Sequence, residues 1–224
     1  PLKQIFKKLY KKVKESTVIS SSTYSRYMLL RRLGLDSRVI YPPVDVEHFK
    51  WNGEEKRNIA VMAGRISREK KYEQVIMSLD KMNIDMLIIL GLSQDNEYLT
   101  YLKGLAMQLD VPLEILLDLP REKYIHILRM AKIYIHACTN EAFGITVPEA
   151  MAAGCIPIVP NTGGPAEIVP RELQYGGFDE LVEKVNREVE NPSFRPGELY
   201  SISLKFSKER FYENIKSVIT EMIL

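Results

Sequence analysis

Four charged residues in the middle of the chain have the chemistry needed to bind a phosphorylated carbohydrate. Glu141 and Glu149 are separated by seven residues, and Arg65 and Lys70 lie upstream of them. A carboxylate only accepts hydrogen bonds, so a pair of carboxylates suits the hydroxyl groups of a sugar or a ribose. A guanidinium binds phosphate through a fork of donors, and an ammonium adds a mobile positive charge. An ordinary charged loop would also explain the two basic residues.

A strand, a loop, a helix and a second strand are predicted to position the two glutamates. Residues 133–137 are β-branched and apolar, which favours a buried strand, and the apolar residues 155–159 favour another. Residues 140–144 are polar and include a glycine, which is typical of a loop at the carboxyl end of the first strand. Ligands of open α/β sheets bind beyond the carboxyl ends of the strands, so both glutamates are predicted to border one crevice.

The predicted helix between these strands begins at Thr146, which can cap it, and Gly154 can end it in the left-handed region. Pro148 is tolerated in the first turn. The N-terminus of a helix carries partial positive charge and unpaired N–H groups, which suits a phosphate. The amides expected at this end belong to Phe143, Gly144, Ile145 and Thr146. Glu149 could instead complete a capping box with Thr146, and Glu141 could be a solvated loop acid.

This segment resembles the signature of a known enzyme family. Glu141, seven residues, Glu149 and then A-M-A-A-G-C-I-P-I-V resemble the E-x7-E signature of family 4 glycosyltransferases, which are retaining enzymes of the GT-B fold that use nucleotide sugars. The resemblance extends to the G-G-P-A-E-I-V motif from Gly163 and to an upstream G-R motif, and it covers most of residues 41–170. Several motifs agree in order and spacing, so the resemblance is specific to the superfamily, but it does not indicate the sugar.

The resemblance implies a role for each of the four charged residues. Glu141 would contact the donor sugar and Glu149 the ribose. Arg65 and Lys70 would hold the diphosphate and help the leaving group to depart. The loop that follows the strand predicted at residues 112–117 would lie against the base. The other residues expected to bind substrate, besides the four amides above, are Gly64, Leu117, Leu119, Gly163 and Gly164.

A glutamate, a histidine and two cysteines near this segment are not assigned a catalytic role. Glu167 also recurs in the family, but it could either bind ligand or only pin the turn that contains it. His136 is predicted to be a buried histidine with a hydrogen-bond partner, not a catalytic residue. Cys138 and Cys155 are predicted to be buried thiols, since they form neither a disulfide framework nor a metal-ligand spacing, and this fits a reducing cytoplasm.

The sequence predicts neither a metal ion nor an organic cofactor. No Asp-x-Asp motif stands near the charged residues, so Arg65, Lys70 and the helix N-terminus are expected to neutralise the diphosphate in place of a divalent ion. An NAD-dependent dehydrogenase would share the sheet, but it needs a Gly-x-Gly-x-x-Gly turn after the first strand. The sequence that begins at Gly64 is G-R-I-S, which does not match.

Composition limits the remaining function classes. The chain has 224 residues, of which 46% are apolar and 27% charged, and its formal net charge is +2. The apolar fraction is sufficient for a normal core of an α/β protein with a Rossmann-like parallel sheet flanked by helices. The near-neutral balance argues against binding of nucleic acid through bulk charge. No apolar run reaches the roughly 18 residues of a membrane span.

Three segments are predicted along the chain. Residues 1–50 would be the tail of an acceptor-side domain and its connector, residues 51–175 the nucleotide-sugar-binding domain, and residues 176–224 helices that pack back on the N-terminal segment. Residues 1–15 form a basic amphipathic helix, which is either an outer helix of a larger domain or an attachment to an anionic membrane surface. The last helix, capped by Ser207, is expected to pack on residues 1–35.

The resemblance therefore predicts a glycosyltransferase that moves a sugar from a UDP- or GDP-linked donor to a glycan or lipid-linked acceptor with retention of configuration. The expected location is the cytoplasm, with peripheral attachment to the membrane as a further option. The alternative is a module that binds a nucleotide sugar but is inactive without a separate acceptor domain, because the chain has no room for a whole first domain.

Overall fold

The structure is a computed structural model that describes residues 10–13, 15–92 and 95–223. It is an α/β fold with a small two-stranded sheet and a six-stranded sheet. The strands are Ile19–Ser20 (β1) and Arg38–Val39 (β2) in the small sheet, and Arg57–Ala63 (β3), Met86–Gly91 (β4), Leu113–Leu117 (β5), Ala131–Ile135 (β6), Ile156–Pro160 (β7) and Gln174–Tyr175 (β8) in the large one. All neighbouring strands are parallel, as predicted.

Helices lie between the strands of both sheets and follow the last strand of the large one. They are Thr23–Leu33 (α1), Val46–Phe49 (α2), Tyr72–Ile76 (α3), Asn96–Leu109 (α4), Arg121–Met130 (α5), Thr146–Ala152 (α6), Pro165–Ile168 (α7), Phe178–Glu190 (α8), Pro196–Ser203 (α9) and Lys208–Ile223 (α10). Residues 10–13 are also helical. None of the described helices combines the length and the apolar character needed to cross a bilayer.

The direction of strand addition reverses between β3 and β6. The chain moves outward from β3 through β4 to β5 and then returns to place β6 on the other side of β3, so the order is β5-β4-β3-β6-β7-β8. Because the strands are parallel, their carboxyl ends share one edge of the sheet, and the loops after β3 and β6 leave a crevice between them. Arg65 and Lys70 follow β3 and Glu141 follows β6, so the fold brings the predicted site to this crevice.

The central strands are buried on both faces. The last five residues of β3 and all of β7 are buried, which is the pattern of a parallel sheet covered by helices. Apolar runs predict strands at residues 58–63, 85–90, 112–117, 133–137 and 155–159, and the structure confirms all five to within two residues.

The sequence predicts a helix that Ser22 caps and Gly34 ends, and the N-terminal helix α1 has these ends. Ser22 is the N-cap, and its side chain accepts a hydrogen bond from the main-chain N–H three residues later. Gly34 ends the helix in the left-handed region with φ of 63°.

The amphipathic pattern of residues 71–82 predicts a single helix, but α3 ends at Ile76 and a 3-10 turn, Leu79–Lys81, follows. The Ser78 hydroxyl donates to the carbonyl of Gln74 at 3.0 Å, a back-bond that bends helices. Residues 191–197 have the composition of a loop, and the structure agrees through Arg195, but Pro196 already begins α9.

The start of α9 carries a signal that the loop prediction overlooked. Proline is favoured at the first helical position, and Glu198 lies two residues after Pro196. The Glu198 carboxylate accepts the N–H of Arg195 at 2.7 Å, which is half of a capping box.

The C-terminal helix α10 contacts the N-terminal part of the chain at Arg38, which forms an ion pair with Glu221 at 2.6 Å. Just before α10, the carbonyl of Phe206 accepts the N–H of Val44 at 2.9 Å. Val218 of α10 is buried and Ile219 is half exposed, and the predicted packing of this helix on residues 1–35 stays a prediction. The predicted boundaries at residues 50 and 175 stay predictions, although one apolar core includes side chains from all three segments.

Candidate active site

A hollow of about 380 Å³ opens at the carboxyl ends of β3, β4 and β5, and it is called the central hollow below. Its wall includes four residues that the sequence assigned to substrate binding, namely Gly64, Arg65, Leu119 and Thr146. Arg121 and Tyr124, in the first turn of α5, also line it and were not predicted. The sequence did contain a signal for them. Helix α5 begins directly after the loop predicted to lie against the base, and Arg121 and Tyr124, at positions i and i+3, share one face of that helix.

Two glycines bring the loops of the central hollow together. Gly64 has φ of 146°, and its N–H donates to the carbonyl of Leu90 at 2.9 Å. A Cβ on Gly91 would lie only 1.9 Å from the carbonyl oxygen of Gly64, so no other residue fits at position 91 without a backbone shift. The close approach of these two loops fixes the floor of the hollow and excludes a side chain at position 91, whereas at position 64 the φ of 146° is what favours glycine.

Glu149 lies in the first turn of α6 and is held by a tyrosine. The Tyr124 hydroxyl donates to Glu149 Oε2 at 3.0 Å. Burial raises the pKa of Glu149 to about 7, although the hydrogen bond from Tyr124 and the charge of Arg121 act in the opposite direction. A carboxylate with this pKa is only about half ionised near neutral pH, which is unusual for glutamate and typical of functional sites.

The capping explanation for Glu149 is wrong. The N-cap of α6 is Ile145, without a side-chain cap, and Thr146 is the first helical residue. The hydroxyls of Thr146 and Tyr134 are hydrogen-bonded at 2.6 Å, so Thr146 is engaged with β6 and does not cap the helix. In the part of the chain that the structure describes, the N–H groups of Ile145 and Thr146 donate to no protein acceptor. The carboxylate of Glu149 is therefore not needed to start the helix.

Glu141 and Lys70 form an ion pair in the crevice between β3 and β6. Their side chains are only 21% and 16% exposed. Burial raises the pKa of Glu141, but the hydrogen bond and the charge of Lys70 outweigh this effect and the net pKa is lowered, so Glu141 is ionised at neutral pH. The prediction that Glu141 could be a solvated loop acid is therefore wrong, and Lys70 is likewise not a freely solvated base.

His136 lies beside this pair and is buried, as predicted. The main chain of Cys138 forms a hydrogen bond with the ring, whereas the Nε2 atom, 3.9 Å from Glu141 Oε2, has no hydrogen-bond partner among the described residues. Burial lowers the pKa of His136 to about 4, which keeps the ring neutral. His136, Cys138 and Glu141 offer ligand atoms within 4.8 Å of one another. The Lys70 ammonium already neutralises Glu141, which disfavours a divalent ion at the same carboxylate.

Arg65 has a different environment from Lys70. It stands on the exposed rim of the central hollow, where its guanidinium donates to Glu69 at 3.0 Å. The Lys70 side chain lies next to the same loop, since its Cε atom is 3.6 Å from the position that a Cβ on Gly64 would take. One mobile and one fixed positive charge thus flank the turn at Gly64, which is where the sequence placed a diphosphate.

Gly163 and Gly164 pack against the main chain of the loop that carries Glu141. The N–H of Gly164 donates to the carbonyl of Glu141 at 2.9 Å, and a Cβ on Gly164 would lie 2.3 Å from the carbonyl oxygen of Ala142. On the other side, the Ser22 hydroxyl donates to the same Ala142 carbonyl at 2.5 Å. The close packing of main chain against main chain accounts for both glycines without a ligand, and it fixes the position of Glu141.

The remaining predicted residues are placed less directly. The Phe143 side chain is buried between Tyr41 and Phe206, with ring centroids 5.7 and 5.6 Å away, so only its main chain could meet a ligand. Leu117 ends β5 and is half-buried, but it does not line the central hollow. Ile145 is 46% exposed beside Gly144.

Glu167 does not pin its own turn. Its carboxylate accepts the main-chain N–H groups of Thr23 at 2.8 Å and Tyr24 at 2.6 Å, and also the Tyr41 hydroxyl at 3.2 Å. These amides lie at the N-terminus of α1, where an acid satisfies unpaired donors and the helix dipole. Glu167 therefore ties α1 to the large sheet, next to Ser22 and the loop of Glu141.

Replacing Glu167 by alanine is expected to lower the free energy of unfolding by about 1–2 kcal/mol, because two amides and a hydroxyl lose their acceptor. Urea denaturation measures this change. The control is Glu172→Ala, since the exposed side chain of Glu172 makes no hydrogen bond in the described part of the chain, and its effect should stay within about 0.5 kcal/mol. Equal stability of the two variants would show that the tie to α1 contributes nothing.

The fold is that of a class of sugar-transferring enzymes. The family described as glycosyl transferases group 1 matches residues 44–193. This range covers more than half of the chain and contains all four charged residues identified from the sequence. The chain belongs to this family, and the resemblance drawn from the E-x7-E motif is confirmed.

Relatives with named activities match more than half of the chain. The GDP-Man:Man(3)GlcNAc(2)-PP-Dol alpha-1,2-mannosyltransferase of Xenopus laevis is 30% identical over 180 residues, which cover 72% of this chain and 37% of that protein. The protein of the same name from Caenorhabditis elegans is 33% identical over 160 residues, which cover 62% of this chain and 34% of that protein. The chain thus spans little more than a third of the length of these curated relatives.

Solved structures confirm the fold. A glycosyltransferase from Rickettsia africae aligns with a TM-score of 0.85 at 18% identity, covering 97% of this chain and 67% of that one. Anabaena HepE in complex with UDP and glucose aligns with a TM-score of 0.80 at 19% identity, covering 92% of this chain and 63% of that one. Both identities are low, so the likeness concerns the fold, and the roles of individual residues stay predictions.

Proposed function

We propose that this chain carries the nucleotide-sugar-binding site of a glycosyltransferase. The observation that carries the proposal is that each acid of the motif is bonded to a side chain at or next to the central hollow, although neither acid is part of its wall. Glu149 reaches the wall of the hollow through Tyr124, and Glu141 reaches it through Lys70, which lies against Gly64. Glu149 would accept the hydroxyls of the ribose, Glu141 would contact the sugar, and Arg65 and Lys70 would neutralise the diphosphate.

The relatives and the site together favour a donor and an acceptor class. Eight relatives share the name of a mannosyltransferase that uses GDP-mannose, so GDP-mannose is the first donor to test and UDP sugars are the second. The same names favour a lipid-linked glycan as the acceptor. Transfer with retention of configuration follows from the family resemblance of the motif. The membrane-surface role proposed for residues 1–15 falls largely outside the described residues.

Isothermal titration of the chain with GDP-mannose, UDP-glucose and ADP-glucose tests this proposal. We expect one of the three to bind, and we expect the dissociation constant to be the same with and without EDTA. The reason is that positive side chains, not a divalent ion, would neutralise the diphosphate. Binding that disappears in EDTA and returns with manganese would reject the metal-free site, and absence of binding by all three would reject the proposed donor class.

The second candidate function is a module that binds a nucleotide sugar but transfers it only when joined to an acceptor domain. It is favoured by the short span of this chain relative to its named relatives. A transfer assay with a dolichol-linked or short-chain lipid-linked oligomannoside separates the two candidates. Transfer by this chain alone would establish the enzyme, whereas binding without transfer, with activity restored by the longer gene product, would establish the module.

A further inference from the structure

We propose that Tyr124 is a positioning residue of the nucleotide site, which holds one oxygen of Glu149 and leaves the other free for the vicinal hydroxyls of a ribose. This inference rests on the proposed function, since it assumes that the ligand is a ribonucleotide. Tyr124 is a fifth residue beside the four charged residues identified from the sequence. Recognition of the ribose would then depend on the hydrogen bond that the Tyr124 phenol donates to Glu149.

The geometry of the contact supports this role. The hydroxyl of Tyr124 donates to Oε2 of Glu149 at 3.0 Å, and the ring lines the central hollow. No other hydrogen bond to the Glu149 carboxylate comes from the part of the chain described, so Oε1 remains available to a ligand. An acceptor with one oxygen held by a residue of the hollow's wall and the other oxygen without a protein partner suits a hydroxyl-bearing ligand.

Tyr124 is itself fixed in place. Its ring meets the ring of Phe49 edge to face, with centroids 5.8 Å apart and an angle of 89° between the planes. Phe49 is 1% exposed and belongs to the main core. The ring therefore has little freedom to swing away, and the position of Glu149 is set by a side chain anchored outside the helix that carries the glutamate.

The charges around Glu149 leave this hydrogen bond as the main support of its ionised form. Arg121 on α5 lowers the pKa of Glu149, and Asp45 at the start of α2 raises it. Arg121 is itself bonded to Asp45 at 3.1 Å, and Lys208 of α10 contacts the same aspartate at 2.9 Å. Because these charges largely compensate one another, the phenol is the group that opposes the effect of burial on the carboxylate.

Loss of the phenol should therefore change how ribose binding responds to pH. Without the hydrogen bond, burial would raise the pKa of Glu149 further, so a larger fraction of the protein would be protonated at neutral pH. A protonated carboxyl cannot accept two hydroxyls on one free oxygen as well as a carboxylate can. The effect should be large near pH 7 and should vanish at higher pH, where the glutamate is ionised in both proteins.

The test compares Tyr124→Phe with the wild-type chain by titration with GDP-mannose or UDP-glucose, whichever binds, between about pH 5.5 and 9. A diphosphate diester does not titrate in this range, so the protein determines the pH profile. We expect Tyr124→Phe to weaken binding about five- to tenfold at pH 7, to shift the midpoint of the profile upward by about one unit and to recover at high pH. The pKa of Glu149 measured by carboxyl NMR in the free protein should shift likewise.

Tyr98→Phe is a matched control, because the Tyr98 hydroxyl also donates to a glutamate, Glu73, but does not line the central hollow. It should leave the pH profile unchanged. A second control is the same nucleotide sugar without its 2′ and 3′ hydroxyls, whose weaker binding should not respond to Tyr124→Phe.

Two results would overturn the inference while leaving the proposed function intact. One is an unchanged pH profile in Tyr124→Phe, and the other is an equal loss of affinity at every pH and for the deoxygenated probe, which would indicate a merely structural role. If the wild-type chain binds none of the nucleotide sugars, the proposed function fails and the inference fails with it. These outcomes are distinguishable because the wild-type titration is measured first.

Discussion

Replacing Glu149 by glutamine is expected to stabilise the free protein above pH 7 and, in the same variant, to weaken binding of the nucleotide sugar by more than tenfold. Burial raises the pKa of Glu149 from the ordinary value of 4.5 to about 7, so ionisation of this side chain opposes folding. Glutamine has nearly the same shape, remains neutral and can still accept the hydrogen bond from Tyr124. It would, however, lose the charge that strengthens hydrogen bonds from the ribose hydroxyls.

The sign and the pH window follow from the direction of the shift. A raised pKa in the folded state contributes stability that is fully present below about pH 4.5 and is lost as the pH rises through about 7. At about 1.4 kcal/mol per pKa unit, the loss approaches roughly 3–4 kcal/mol well above pH 7. His136 acts oppositely, because its lowered pKa of about 4 gives stability that is lost as the pH falls. The difference between wild type and Glu149→Gln isolates Glu149.

Urea denaturation at about pH 5 and pH 8 measures this difference. The gain in stability of Glu149→Gln should be small at the lower pH and largest at the higher pH. The companion variant Glu149→Ala should weaken nucleotide binding far more than it lowers thermal stability, because Glu149 does not cap α6. A gain that is the same at both values, or a Glu149→Ala variant that loses stability but keeps its affinity, would contradict this account of Glu149.

Replacing Lys70 by methionine is expected to lower the free energy of unfolding by about 2–4 kcal/mol, because it leaves the mostly buried carboxylate of Glu141 without its partner. The figure is below that of a fully buried pair, since both side chains retain some contact with water. Binding of the nucleotide sugar should fall below detection, because the diphosphate loses its fixed positive charge and the sugar contact loses its orientation.

The double variant Lys70→Met with Glu141→Leu separates the cost of an unpaired charge from the value of the pair. Replacing both partners by apolar residues should recover most of the lost stability, since a buried pair contributes little net stability, but it should not recover binding. Lys71→Met is the control, because Lys71 bonds the hydroxyl of Thr139 at 3.1 Å and balances no carboxylate there. If the Lys70→Met variant were as stable as the Lys71→Met control, Lys70 and Glu141 would not be energetically coupled.

Local patterns in the sequence predicted the elements that depend on local causes. The apolar runs of β3 and β7 and the caps of α1 at Ser22 and Gly34 were predictable, because each depends on residues a few positions apart. The four charged side chains were also predictable, since the type and spacing of the residues carry the chemistry.

Contacts between distant segments were not predictable in this way. Thr146 fits the pattern of a helix cap, but its hydroxyl is hydrogen-bonded to the hydroxyl of Tyr134 on β6. Glu167 satisfies amides more than 140 residues earlier in the chain, at the start of α1. In the sequence, Tyr124 is one residue of a predicted helix, and only the fold shows that it contacts Glu149. In each case a polar group found its partner through the topology of the sheet, which short-range spacing does not encode.

The most direct test of the central claim is a crystal structure of this chain soaked or co-crystallised with the nucleotide sugar that binds best in titration. The account predicts the ribose hydroxyls within hydrogen-bond distance of Glu149, the diphosphate between Arg65 and Lys70, and the sugar against Glu141. Density for the nucleotide at another face of the molecule, with the central hollow empty and these four side chains unmoved, would contradict it.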